Sequence, residues 1–106
     1  MINLAPRYLA SVKKILRKHF PDCEVRVFGS RATSKVKAYS DLDLVVMGSA
    51  KLATKDLYAL KDELEESDLP IRVEVLDWNA ISHSFQAIIE KKYKLLQTPI
   101  LKTTTK

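Results

Sequence analysis

Residues 25–46 read VRVFGSRATSKVKAYSDLDLVV, and this stretch decides the fold. Val25 and Val27 alternate with Glu24 and Arg26 in the two-residue period of a half-buried strand. The run ends at Phe28, and Gly29-Ser30 follows. Glycine has no Cβ, so it reaches backbone angles closed to other residues and lets a bulky anion approach the main chain. A short helix opening at Ser30 would aim its free N–H groups at that same anion. A second strand begins near Asp41. Its alternation sets Leu42, Leu44 and Val46 on one face and Asp41, Asp43, Val45 and Met47 on the other. Two carboxylates thus project together, and they repel each other unless a cation lies between them. Hard divalent ions such as Mg²⁺ answer that need, because they take oxygen ligands from one or two carboxylates and from substrate phosphates. Beside a phosphate-type turn the pair suggests a metal–nucleotide site, while the alternative is a solvated strand end with a polar turn before it, the more frequent meaning of a lone D-x-D.

Working outward, the 106 residues, 46% of them hydrophobic, make one domain with a modest core. That domain is expected over residues 1–97, with 98–106 a flexible, Pro-broken polar tail. The single cysteine, Cys23, excludes an internal disulfide. No stretch is apolar enough to cross a membrane and no signal peptide opens the chain, so a cytoplasmic protein is expected. The net charge of +5 is compatible with an anionic ligand or an acidic partner. The basic residues are scattered, without an RNP-like aromatic motif or zinc-finger spacing, so direct nucleic-acid binding is not expected.

Leu9, Val12, Ile15-Leu16 and Phe20 recur at helical spacing between Pro6 and Pro21, which predicts a helix over residues 6–19. His19 lacks a partner at helical spacing and reads as a helix-end residue. Residues 33–40 show no hydrophobic period and form a loop beside the proposed phosphates, where Arg31, Lys35 and Lys37 are candidates to offset phosphate charge, Arg31 the best placed. A second helix is expected over residues 52–66, burying Leu57, Leu60 and Leu64. A third strand, residues 71–76, places Ile71, Val73 and Val75 on one face and Arg72, Glu74 and Leu76 on the other. Asp77 falls with the first set and is expected to end the strand and cap the next helix; Glu74, opposite, is the better third carboxylate. A last helix should start near Asn79 and turn Ile81, Phe85, Ile88-Ile89 and Leu95-Leu96 inward, with Trp78 a packing residue and His83 on the surface. The order predicts an α/β (α+β) domain: a mixed sheet of about three main strands with helices on one face and the acids on the other.

The run Gly29-Ser30, ten residues, then Asp41-Leu42-Asp43 resembles the signature of the nucleotidyltransferase superfamily that includes DNA polymerase beta, and more closely its minimal branch, the small MNT proteins. Arg31-Ala32, Tyr39-Ser40 and the apolar residues around the aspartates belong to the match. The resemblance implies metal ligation and catalysis by Asp41, Asp43 and a third acid for which Val73-Glu74-Val75 is the matching context. It implies nucleotide binding at Gly29, Ser30 and Arg31, two Mg²⁺ ions, and ATP as donor. Glu74 departs from the commoner aspartate and adds one methylene, which puts the position of the general base in doubt. MNT antitoxins pair with an all-helical HEPN toxin, usually encoded beside them, and transfer AMP from ATP onto its tyrosine. The resemblance therefore implies such a HEPN partner. Two alternatives stay open: an MNT module that neutralises its partner by binding alone, and a stand-alone nucleotidyltransferase acting on a small molecule or RNA.

Overall fold

The structure is a computed structural model that describes residues 2–33 and 40–100. Lys35, Lys37, Tyr39 and the distal tail, residues 101–106, lie outside the described residues. The element order is α1 (Pro6–His19), β1 (Glu24–Phe28), a 3₁₀ turn (Gly29–Ala32), β2 (Leu42–Met47), α2 (Thr54–Glu66), β3 (Val73–Asp77), a 3₁₀ turn (Trp78–Ala80), α3 (His83–Lys91) and β4 (Lys94–Gln97). α1 has the expected bounds. Pro6 occupies its first turn, Arg17, Lys18 and His19 complement the dipole in its last, and Phe20 closes it by donating its N–H to the Leu16 carbonyl.

The four strands are ordered β3-β2-β1-β4. β1 runs antiparallel to both β2 and β4, whereas β2 and β3 are parallel because α2 carries the chain back across the sheet. Val25, Val27, Leu42, Leu44, Val46 and Val75 face α1 and α2, whose Val12, Leu16, Leu60 and Leu64 complete the main core. Burying each such side chain stabilises the fold by about 1.5–3 kcal/mol.

Two expectations are corrected. Leu95 and Leu96 belong to a fourth strand, β4, not to the last helix, which ends at Lys91. The alternation there leaves Leu95 exposed and Leu96 buried. Nor do all the helices share one face: α3 lies against the opposite side, where its Phe85 meets Phe28 edge-on, with centroids 5.8 Å apart, and its Glu90 reaches Arg26. Val45 and Ile89 are buried outside the main core, consistent with that second layer. Thr98 and Ile100, at the start of the expected tail, are tied down, the Thr98 carbonyl accepting from Arg17 and the Ile100 N–H donating to Pro21. No described helix is long and apolar enough to cross a membrane.

Candidate active site

The site grows from one row across the sheet. Phe28 of β1 is paired with Asp43 of β2, and Asp43 with Glu74 of β3, so the three share a face at the strand spacing of about 4.8 Å. Parity along β3 placed Glu74 there, and the register agrees. Asp41 stands exposed just before β2, where the Leu42 N–H donates to the Arg72 carbonyl and fixes the strand's entry.

Gly29 turns the chain out of β1 at φ +75°, a left-handed conformation that other residues adopt only under strain. It is also wedged against the second aspartate. A Cβ on Gly29 would collide with Asp43 Oδ2 and lie 3.3 Å from its Cγ. The turn and the carboxylate strand are thus packed into one unit, with Ser30 and its hydroxyl next in line. Thr33 closes the turn, its N–H and hydroxyl both donating to the Ser30 carbonyl.

Burial first, and then the negative charges of Asp41 and Glu74, push the Asp43 carboxyl above its ordinary range. Among the described residues no ion pair reaches Asp41 or Asp43; Glu74 is held at 3.2 Å by Arg72, an exposed side chain. Nor, among the described residues, do three histidine, cysteine or acidic side chains converge into a ready-made metal cage. The donor set nevertheless fits Mg²⁺, which binds through one or two carboxylates and leaves the rest of its shell to water and substrate phosphate.

Arg31 follows Ser30 within the 3₁₀ turn. It is buried, with Nε donating to the Ser40 carbonyl at 3.1 Å and a terminal nitrogen to the Asn3 carbonyl at 2.6 Å. These contacts tie the N-terminal segment and the approach to β2 onto the turn. Asp77 ends β3 as expected but caps the 3₁₀ turn, not α3, which starts later, at His83, with Ser82 as its cap; one Asp77 carboxylate oxygen accepts from the Asn79 N–H and the other from the Leu52 N–H, which also anchors the approach to α2. His19 meets Glu63 at 2.7 Å, joining α1 to α2, and His83 is exposed. Sequence reasoning missed the Arg26 cluster beside the site, where the guanidinium lies between the rings of Tyr93, 4.1 Å away, and Trp78, 5.5 Å away. Its signal was present: Arg26 alternates onto the same face as Phe28.

The glycine turn thus lies against a row of two carboxylates, Asp43 and Glu74, with Asp41 just before β2. The chain belongs to the polymerase beta nucleotidyltransferase family, whose model matches residues 10–99. It is 43% identical over 96 residues, 91% of this chain and 84% of the relative, to the probable protein adenylyltransferase MntA of Haemophilus influenzae. Among solved structures it is similar to a toxin–antitoxin crystallised with AMP-PNP, with TM-score 0.72 and 23% identity over 85% of this chain and 73% of the other. It is also similar to a tri-AMPylated HEPN toxin in complex with MNT antitoxin from Shewanella oneidensis, with TM-score 0.69 and 21% identity over 90% and 73% of the two chains. At those identities the likeness to solved structures carries the fold.

Proposed function

We propose that this chain is a Mg²⁺-dependent protein adenylyltransferase, the antitoxin of a HEPN/MNT pair, which transfers AMP from ATP to a tyrosine hydroxyl of its HEPN toxin and so neutralises it. The observation that carries the reading is the row from Asp43 to Glu74 beside Asp41, packed directly on the Gly29 turn, where burial and then the neighbouring negative charges raise the Asp43 carboxyl. Such an arrangement destabilises the protein unless it serves a cationic ligand. The similarity to a probable protein adenylyltransferase over most of both chains supports the choice of a protein acceptor.

Asp41, Asp43 and Glu74 would hold Mg²⁺, which when bound supplies positive charge to the phosphates and to the attacking oxygen. Gly29 leaves room for the β and γ phosphates to approach the main chain, and Ser30 offers its hydroxyl to them. The tyrosine oxygen forms a bond to the α-phosphorus while the bond from that phosphorus to the bridging oxygen of the β-phosphate breaks, and pyrophosphate departs. The hydroxyl proton passes to Glu74. Catalysis is then chiefly positioning and charge stabilisation.

A second reading, neutralisation by binding alone, draws on the engagement of Glu74 by Arg72. Intact-mass spectrometry of the HEPN protein after incubation with this chain, ATP and Mg²⁺ separates the two. A gain of one or more AMP groups that disappears in the Asp41→Asn, Asp43→Asn double variant is the expected result. A stable complex without mass change would establish the binding module.

A further inference from the structure

We propose that Arg72 is a further nucleotide-binding residue, which holds Glu74 while the site is free of nucleotide and passes to the α-phosphate of ATP when Glu74 turns to the cation. This rests on the adenylyltransferase reading and adds a residue to the same site. The register of β2 and β3 supplies the placement. Asp43 is paired with Glu74 and Leu42 with Val73, so one residue further back Asp41 and Arg72 stand side by side. The Leu42 N–H donates to the Arg72 carbonyl at 2.9 Å and carries the parallel pairing back to that step.

Asp41, Asp43, Arg72 and Glu74 therefore mark the corners of a rectangle, about 4.8 Å across the strands and about 6.6 Å along them. Three corners are acids and the fourth is a guanidinium. Arg72 meets Glu74 along the β3 side, with a terminal nitrogen 3.2 Å from a carboxylate oxygen. The arginine side chain keeps 72% of its exposure and the glutamate 43%, so water competes for both ends and the pair is weakly held. A stronger partner can take it apart, and it does not bar Glu74 from a cation.

The three strands then meet the triphosphate from different sides. β1 ends at Gly29 and Ser30, proposed above for the β and γ phosphates, β2 brings Asp41 and Asp43, and β3, across β2 from β1, brings Arg72. A triphosphate that enters at Gly29 and reaches the aspartates lays its α-phosphate next to the Arg72 corner. A guanidinium keeps its charge throughout the working pH range and presents paired N–H donors, a match for two oxygens of one phosphate group. Once Glu74 serves the cation, Arg72 has lost its carboxylate, and the α-phosphate oxygens offer a bidentate replacement.

Calorimetric titration with AMP-PNP tests both positions of the side chain. With Mg²⁺ present, Arg72→Gln should bind AMP-PNP about tenfold more weakly than wild type, the loss expected of one charge-assisted hydrogen bond. Arg72→Lys should recover part of that loss, since it restores the charge without the paired donors. The urea midpoint of nucleotide-free Arg72→Gln should match wild type, because the pair is exposed. Without Mg²⁺, Glu74→Ala frees Arg72 and should tighten AMP-PNP binding. That gain should vanish when Arg72→Gln is added, whereas simple relief of charge repulsion would persist in the double variant. Wild-type affinity in Arg72→Gln, or an equal gain from Glu74→Ala with and without the arginine, overturns the proposal. AMP transfer from ATP to the HEPN protein by the wild type is measured alongside. Transfer intact with unchanged affinity in Arg72→Gln removes Arg72 alone. No transfer by the wild type, with binding still weakened in Arg72→Gln, overturns the adenylyltransferase reading and keeps Arg72 as a nucleotide ligand.

Discussion

Replacing Gly29 with alanine probes how firmly the glycine turn is joined to the carboxylate strand. At φ +75° an alanine carries a backbone penalty of about 1–2 kcal/mol. The new methyl also strikes the Asp43 carboxylate, with Cγ at 3.3 Å and Oδ2 closer still, and overpacking of this sort costs about 1–3 kcal/mol. The single variant should therefore lose about 2–5 kcal/mol, with each kcal/mol lowering Tm by about 4–8 °C in a domain of roughly this size. An Asp43→Ala background separates the two contributions. There the carboxylate is gone and only the Asp43 Cβ remains near, at 3.6 Å, an ordinary contact. Gly29→Ala in that background should cost only the backbone penalty, leaving a coupling of about 1–3 kcal/mol in the double-mutant cycle. Urea unfolding of the four proteins without Mg²⁺ measures it. Equal costs of Gly29→Ala in both backgrounds would refute the packing of turn on carboxylate. The same clash should abolish AMP transfer by Gly29→Ala at temperatures where the variant is still folded.

Asp43→Asn should stabilise the metal-free protein above the ordinary carboxylate range. Because the folded Asp43 carboxyl is raised, wild type binds the extra proton in the folded state and loses stability as pH rises from the ordinary aspartate value through the raised one, a slope that unfolding curves should show flattened in Asp43→Asn. Glu63 behaves in the opposite sense: His19 and then Lys18 lower its carboxyl, so their contribution is present above the ordinary glutamate value and fades as pH falls through the lowered one. Glu63→Gln should shift Tm only slightly, and less in high salt, since the group is exposed to water. Arg31→Gln should cost about 3 kcal/mol in chemical denaturation through two lost charge-assisted hydrogen bonds in a buried position. AMP-PNP affinity per folded molecule should change little, and a loss of affinity without a loss of stability would restore Arg31 to the phosphates.

Much of this architecture was legible because local signals agreed. Proline at both ends of α1 and its apolar stripe gave its limits, and strict alternation in β2 and β3 was enough to put Asp43 and Glu74 on one face and Asp77 on the other. What escaped was set by tertiary contact. Residues 94–97 are too short and too mixed for alternation to stand out after a helix with a similar apolar period, and only pairing with β1 makes them a strand. The side of the sheet on which α3 lies depends on Phe28, Phe85 and Arg26, which no single window contains. Arg31 illustrates the converse problem. An arginine beside a phosphate-type turn carries the same local signature whether its guanidinium meets phosphate or main-chain carbonyls, and the Asn3 carbonyl that one of its N–H groups meets lies 28 residues away in sequence.

The central place of β2 has a consequence for how this protein fails. Leu42, Leu44, Val45 and Val46 are wholly buried between flanking strands, so their amides should exchange with deuterium only through global unfolding, among the slowest in the chain. Asp43 sits within that slow-exchanging segment. Heat should therefore extinguish the acid row and the fold together, in one cooperative step. α3, fastened to the outer face by an aromatic pair, the buried Ile89 and a half-exposed ion pair, should open and exchange first while the carboxylates keep their places.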